Sequence, residues 1–306
     1  MKIKANGVQI EVLDEGGNGA PQQPVVLLVM GLGMQLTAWP EDFVQGLLQA
    51  GYRVIRHDNR DCGLSQSLDH LGKPILLLDS MKYKFGWPLK PPYTLLDMAR
   101  DALGVLDALG VARAHVAGVS MGGMIAQRMA LVAPERVHSL TSIMSTSSAR
   151  HLPPPQPEVI RALLCRPSSK TLEAAVSNYL VLMKVISSPA FALTDAQWFA
   201  RVDPQVRRAY RPDGTLRQLV ATIADADRAD LLGCITAPTL VLHGKADPML
   251  PYVCGQDTAR RIPGAQLVGI DGMGHDLPPG VVRILLTHLL AHLRACTRDA
   301  SEAQPA

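Results

Sequence analysis

The hydrophobic positions of this chain form short continuous runs that alternate with stretches of helical periodicity. The run PVVLLVMGLG, residues 24–33, is apolar and ends in glycines, which predicts a fully buried strand that leads into a loop. Residues 94–111 instead carry apolar side chains at helical spacing, with Thr94 as N-cap and Gly110 as C-cap. Buried strands alternating with helices predict an α/β fold, a mostly parallel sheet covered by helices on both faces.

Further strands are predicted along the chain from the same pattern. A β-hairpin around Asn6-Gly7 opens the sequence. Buried strands are predicted in the segments GYRVIRHD, AHVAGVS, RVHSLTSIMST, PTLVLHG and AQLVGIDG. A helix is expected after AHVAGVS and ends before Pro134.

One long region lacks this alternation of strands and helices. Residues 150–233 contain no buried-strand pattern and give helical stretches such as TLEAAVSNYLVLMKVI, which predicts a helical cap inserted between two strands. The core is then residues 1–149 and 234–296. A shorter insertion is predicted between residues 68 and 92, and the tail 297–306 is expected to be disordered.

Composition narrows the function classes. The chain has 306 residues, 47% of them hydrophobic, and a net charge of +3 without a dense Lys/Arg block, so no nucleic-acid partner is expected. No signal peptide and no apolar stretch near the roughly 18 residues of a membrane span is found, so no membrane association is expected. Five scattered cysteines without a CxxC pair predict free thiols in the cytoplasm and no zinc site. The sequence indicates no cofactor and leaves the oligomeric state open.

Ser120 is the candidate nucleophile. It follows a predicted buried strand and precedes a predicted helix, in Gly118-Val119-Ser120-Met121-Gly122. Glycines two residues away on each side permit a sharp turn that exposes the hydroxyl at the N-terminus of a helix. The alternative is a tight turn without chemistry, and the motifs that follow in order disfavour it.

A serine hydroxyl needs a base, and the base needs an orienting acid. Asp247 follows the strand PTLVLHG, and His275 follows the last predicted strand, so the order is Ser, Asp, His. Asp247 could instead cap the next helix, but the segment IMSTSSAR after the preceding strand offers no rival carboxylate. Asp271 and Asp276 flank the histidine and are interpreted as loop residues.

The motifs GVSMGG, HGKADPMLP and GMGHDLP resemble those of the α/β-hydrolase superfamily, over residues 6–293. HDNRDCGLS resembles the superfamily's motif after strand 4, with Asp61 where glycine is commoner. LLVMGLGMQLTAWP resembles its oxyanion loop, with Met30 in place of the usual histidine. This version is similar to a subgroup of bacterial esterases that includes the aclacinomycin methylesterases.

The resemblance implies a role for each matching residue. Ser120 would attack the acyl carbon, His275 would take the proton and pass it to the leaving group, and Asp247 would hold the imidazole tautomer. The backbone N–H groups of Leu32 and Met121 would form the oxyanion hole.

The sequence also offers candidate pocket residues, although helix-spaced apolar residues serve equally as core. They are Gly33, Trp87, Leu180, Met183 and Trp198.

The sequence therefore predicts a serine carboxylesterase that hydrolyses small to medium carboxylic esters through an acyl-enzyme. Hydrolysis of a C–C bond, a thioester or a lactone, or perhydrolysis, would use the same triad and stays open. Outside enzymes, the alternative is a small-molecule receptor on a hydrolase scaffold, which an intact triad disfavours.

Overall fold

The strands form one sheet in the part of the chain that the structure describes. This computed structural model covers residues 1–17, 19–20, 23–75, 81–82, 87 and 89–302, with side chains as far as Thr297. The strands are β1 (Lys2–Ala5), β2 (Val8–Glu15), β3 (Val25–Val29), β4 (Arg53–His57), β5 (Ala114–Val119), β6 (Val137–Ile143), β7 (Thr239–Gly244) and β8 (Gln266–Ile270). Their order is β1-β2-β4-β3-β5-β6-β7-β8, antiparallel up to the β2–β4 pair and parallel from there on.

The N-terminal hairpin is confirmed. Ala5 pairs with Val8 across a turn whose two residues, Asn6 and Gly7, have φ of 47° and 83°. Positive φ at both central positions is the geometry that Asn-Gly favours, and its twist matches that of the flanking strands.

Helices cover both faces of the sheet, as predicted. They are α1 (Glu41–Gln49), α2 (Leu95–Ala108), α3 (Met121–Val132), α4 (Pro157–Leu164), α5 (Leu172–Val185), α6 (Asp195–Arg208), α7 (Pro212–Ile223), α8 (Arg228–Leu231), α9 (Tyr252–Arg261) and α10 (Pro279–Glu302). Leu27 of β3 packs in one core cluster with α2 and α3, whereas its neighbour Leu28 packs in another with α1 and α10. Side chains of a strand alternate between faces, so a strand buried on both sides is apolar throughout.

The ends of α2 follow the predicted signals. Thr94 Oγ accepts a hydrogen bond from the Asp97 N–H at 3.1 Å, and the Asp97 carboxylate accepts one from the Thr94 N–H at 2.9 Å. Gly110 follows the helix with φ of 67°, the left-handed conformation that ends many helices.

Helices α4–α8 lie between β6 and β7 in the chain, and residues 150–233, all of them described, contain no strand; this helical segment is called the cap here. Buried ion pairs connect this cap to the core. Arg217 of α7 lies 2.7 Å from the Asp61 carboxylate, and Arg208 of α6 lies 2.8 Å from that of Asp58. Because a buried charge that loses its partner is strongly unfavourable, these pairs fix the cap in place.

Helix α10 extends as far as Glu302, into the segment 297–306 for which the sequence predicts disorder. Leu289, Leu293 and Cys296 keep one face of the helix buried up to the start of that segment. Residues 303–306 lie outside the described residues, as does much of the short insertion at 68–92. None of the helices in the described ranges is both long and apolar enough to cross a membrane.

Candidate active site

Ser120 lies in the turn between β5 and α3, with φ of 55° and ψ of −121°. This conformation is unfavourable for a residue with a side chain, and its N–H is held by Ile143 O at 2.9 Å. A Cβ at Gly118 would lie 2.1 Å from Gly122 O, and one at Gly122 would lie 2.1 Å from Val29 O. The two glycines are therefore required by the close approach of backbone to backbone in this turn.

The structure brings the three predicted catalytic residues into one hydrogen-bonded chain. Ser120 Oγ lies 3.0 Å from His275 Nε2, and His275 Nδ1 lies 2.7 Å from Asp247 Oδ2. They come from the loops after β5, β7 and β8, whose C-terminal ends meet at one edge of the parallel sheet. Each contact is within the range in which a proton can be held or transferred.

Asp247 is buried, and its two carboxylate oxygens accept hydrogen bonds from different partners. Oδ1 accepts from the N–H groups of Met249 and Leu250, both at 2.8 Å, which leaves Oδ2 for His275. Helix α9 begins after Pro251 without a side-chain cap, so Asp247 does not cap it. His243 Nε2 lies 3.5 Å from Asp247 Oδ2 but only 2.7 Å from Leu250 O, its nearer partner.

Two backbone N–H groups next to Ser120 have no hydrogen-bond partner among the described residues. They belong to Leu32, in the loop after β3, and to Met121, the first residue of α3. A Cβ at Gly31 would lie 3.8 Å from Ser120 Oγ, so this loop packs directly against the nucleophile. Unpaired donors beside a serine hydroxyl are suited to an oxygen that gains negative charge.

A cavity of about 610 Å³ lies over Ser120 and His275, between the core and the cap. Most of its lining is apolar, and five of the lining residues are methionines, whose side chains are flexible. The lining includes Met30, Leu32, Met34, Trp39, Met144, Leu163, Tyr179, Leu182, Met183, Trp198, Arg201, Arg208, Met249 and Asp276.

Comparison with known proteins agrees with this geometry. The model of the α/β hydrolase fold family matches residues 24–278. The chain belongs to this family. A rhodomycin D methylesterase of Streptomyces peucetius is 31% identical over 92% of this chain and 94% of its own. A 2-hydroxy-6-oxononadienedioate/2-hydroxy-6-oxononatrienedioate hydrolase of Cupriavidus pinatubonensis is 32% identical over 84% of this chain and 82% of its own.

The solved structure of an enol-lactonase from Burkholderia xenovorans superposes on this α/β hydrolase with a TM-score of 0.74. It is 22% identical and covers 96% of this chain and 100% of its own, which supports the fold. The family and the named relatives make the protein a hydrolase, the enzyme class that the sequence predicts.

Of the predicted pocket residues in this hydrolase, Met183 and Trp198 line the cavity, and the other three do not. Leu180 packs instead between α5 and α6, with Val176 and Val202. Gly33 faces α7, where a Cβ would lie 2.7 Å from Thr215 Oγ1. Trp87 is 63% exposed.

Asp276, interpreted from the sequence as a loop residue, connects the histidine loop to the cap. Its Oδ1 accepts from the N–H of Ser188 at 2.9 Å and from the Ser188 hydroxyl, while His275 N–H donates to Ile186 O at 2.7 Å. Burial raises the pKa of the Asp276 carboxyl to about 6, although Ser188, His275 and Arg201 oppose the rise. No sequence signal distinguished it from Asp271, because the difference arises from contact with a distant segment.

The pKa of Asp276 predicts how stability depends on pH. Its pKa of about 6 in the folded state lies above the unfolded value of about 3.9, so the folded state favours the protonated carboxyl. The contribution of this protonation to the free energy of unfolding is complete below the unfolded pKa and is lost as pH rises through the folded pKa. Asp276→Asn removes this titration. The variant's free energy of unfolding, measured by urea denaturation, is expected to rise relative to wild type by about 2 kcal/mol between about pH 4 and about pH 8. A difference that stays constant across this range would contradict the assignment, and Asp271→Asn, at an exposed position, serves as control.

Metal-ligating side chains do not cluster in the part of the chain that the structure describes. Across the described ranges, no group of three or more His, Cys, Asp or Glu side chains could hold a metal ion.

Proposed function

We propose that the protein is a serine carboxylesterase that acts on small to medium carboxylic esters through an acyl-enzyme. The observation that carries this proposal is the continuous chain from Ser120 through His275 to Asp247 at the base of an apolar cavity. The methylesterase relatives support an ester as the substrate.

The hydrogen bonds of Asp247 determine which protonation state His275 uses. Since Oδ1 is occupied by two backbone donors, Oδ2 accepts a hydrogen bond from the protonated Nδ1 of His275, and Nε2 directs its lone pair at Ser120 Oγ. His275 takes the serine proton as Oγ bonds to the acyl carbon, and then returns it to the alcohol that leaves. A water molecule then gives a proton to His275 as its oxygen bonds to the acyl carbon. His275 returns that proton to Ser120 Oγ as the acid is released.

The carbonyl oxygen becomes negatively charged when Ser120 attacks. The N–H groups of Leu32 and Met121 have no hydrogen-bond partner among the described residues; Met121 directly follows Ser120, and Leu32 follows Gly31, which packs against that serine. Because both donors are held by the backbone, they stabilise that charge without reorganising. Removing one such donor typically costs about 2.7–4 kcal/mol of transition-state stabilisation.

A second candidate is the hydrolysis of a C–C bond. It is favoured by the 32% identity to the Cupriavidus hydrolase, which is named for an oxononadienedioate substrate. The same triad would serve that reaction, so the substrate has to be tested directly.

Hydrolysis of p-nitrophenyl esters from acetate to laurate tests the proposal. We expect turnover that rises above the acetate rate and falls again before laurate, because a cavity of about 610 Å³ accommodates an acyl chain of limited length. A 2-hydroxy-6-oxo-dienoate assayed in parallel tests the second candidate. Turnover of the dienoate without turnover of any ester would overturn the esterase proposal. A cytoplasmic location and a small-molecule ester as the only partner class stay predictions.

A further inference from the structure

The cap contacts the loop that carries the Leu32 N–H. Residues 30–36, called the oxyanion loop here, lack the histidine that the resemblance leads one to expect, since Met30 stands in its place. The side chain of Gln218, from cap helix α7, is fully buried against this loop. Its position raises the question of what fixes the oxyanion loop in this protein.

Both halves of the Gln218 amide are used. Its Oε1 accepts from the N–H of Gly33 at 2.9 Å, and its Nε2 donates to the carbonyl of Arg60 at 2.8 Å. One side chain thus joins the loop after β3, the loop after β4 and the cap. The loop and α7 are in close contact at Gly33, which has φ of 65°. A Cβ there would lie 2.7 Å from Thr215 Oγ1 of α7.

These contacts lie on either side of the Leu32 N–H. The Gly33 N–H, one residue after it, is held by Gln218, and the Met30 carbonyl, two residues before it, accepts from Asn59 Nδ2 at 2.9 Å. With both flanking peptide groups anchored, the Leu32 N–H has little freedom to rotate away from the Ser120 side of the loop. Anchoring of this kind, by residues that do not touch substrate, sets the precision of a catalytic donor.

We propose that Gln218 is a positioning residue for the oxyanion hole, so that the cap completes the catalytic site as well as enclosing the cavity. This inference rests on the proposed esterase function. Arg217, the preceding residue, forms the buried ion pair with Asp61 that seats α7 on the core, so the position of Gln218 depends on the cap being closed.

Gln218→Met tests the proposal, with Gln127→Met as the matched control. Gln127 is also a fully buried glutamine, on α3, and its amide bonds Arg228 of the cap and Ser142. Both variants lose side-chain hydrogen bonds and are expected to have a lower melting temperature. Only Gln218→Met is expected to lower kcat, by roughly 10- to 100-fold with KM little changed, because a misplaced oxyanion donor weakens binding of the transition state alone. Equal kcat values in the two variants would overturn the proposal.

Gln218→Glu provides a rescue. When protonated, the glutamic acid can accept from Gly33 N–H and donate to Arg60 O, as glutamine does; when ionised, it loses that donor. The ratio of its kcat to that of wild type is expected to fall as pH rises, and taking the ratio removes the pH effects that are common to both enzymes. A ratio independent of pH, at the level of Gln218→Met, would count against the role of the second hydrogen bond.

Amide hydrogen exchange separates this proposal from the esterase proposal. Peptides covering residues 30–36 are expected to exchange faster in Gln218→Met than in Gln127→Met, whether or not the enzyme hydrolyses esters. If the wild type turned over no ester, the function would be wrong while the exchange rates still decided the anchoring. Unchanged exchange over residues 30–36 in Gln218→Met would overturn the positioning role.

Discussion

Ser120→Ala is expected to lower kcat for ester hydrolysis by roughly 10⁵-fold or more while the protein stays folded. In the proposed mechanism the hydroxyl oxygen of Ser120 bonds to the acyl carbon, and no other group in the described site lies 3.0 Å from His275 Nε2 in its place. Alanine keeps the Cβ and the same backbone demand at φ of 55°, so the strained turn is no worse for the substitution. The residual rate would come from water acting beside the oxyanion donors.

The matched control for this experiment is Ser139→Ala. Ser139 is fully buried on β6, and its hydroxyl contacts His115 Nδ1 at 2.8 Å, away from the cavity. It is expected to retain kcat. Reaction with a fluorophosphonate, followed by mass spectrometry, should label residue 120 in the wild type and in Ser139→Ala but not in Ser120→Ala. Retention of more than about 1% of kcat in folded Ser120→Ala would exclude the acyl-enzyme route.

The sequence could predict the parts of this molecule that local rules control. The apolar run 24–33 indicates a strand because burial on both faces leaves no polar position, and Asn6-Gly7 indicates a turn because both residues tolerate positive φ. The proximity of Ser120, Asp247 and His275 could also be predicted from the sequence, because residues that follow parallel strands meet at one edge of the sheet.

The parts that depend on distant contacts could not be predicted in this way. Leu180 and Met183 lie on one helix with similar apolar surroundings in the sequence and pack against the same cluster with α6, yet only Met183 also reaches the cavity. Gln218 carries no motif, and its importance arises because α7 packs on a loop nearly two hundred residues away in the chain. Asp276 likewise differs from Asp271 through its burial and its hydrogen bonds to Ser188, a residue of a distant segment.

Asp247→Asn is expected to lower kcat by about 10⁴-fold, although the substitution only replaces one carboxylate oxygen by an NH₂ group and changes no contact in the cavity. The reason lies in the two hydrogen bonds to Oδ1. The N–H groups of Met249 and Leu250 are both donors at 2.8 Å, so the asparagine must turn its own oxygen toward them and its NH₂ toward His275. His275 Nδ1 then has to accept, and its proton moves to Nε2, where it points at Ser120 and blocks proton transfer.

The loss of kcat should therefore come from the changed tautomer of His275, and not from misfolding or weaker substrate binding. KM is expected to change little because Asp247 does not line the cavity, and the melting temperature should stay close to that of wild type because both backbone hydrogen bonds survive. Asp271→Asn, at an exposed carboxylate paired with Lys245, is expected to leave kcat within about twofold, as surface pairs contribute little. The ¹⁵N chemical shifts of His275 report the tautomer directly: a proton on Nδ1 in the wild type and on Nε2 in Asp247→Asn. If the variant kept the wild-type tautomer and still lost activity, Asp247 would act through its charge, and the orientation that its two backbone donors impose would not be the cause.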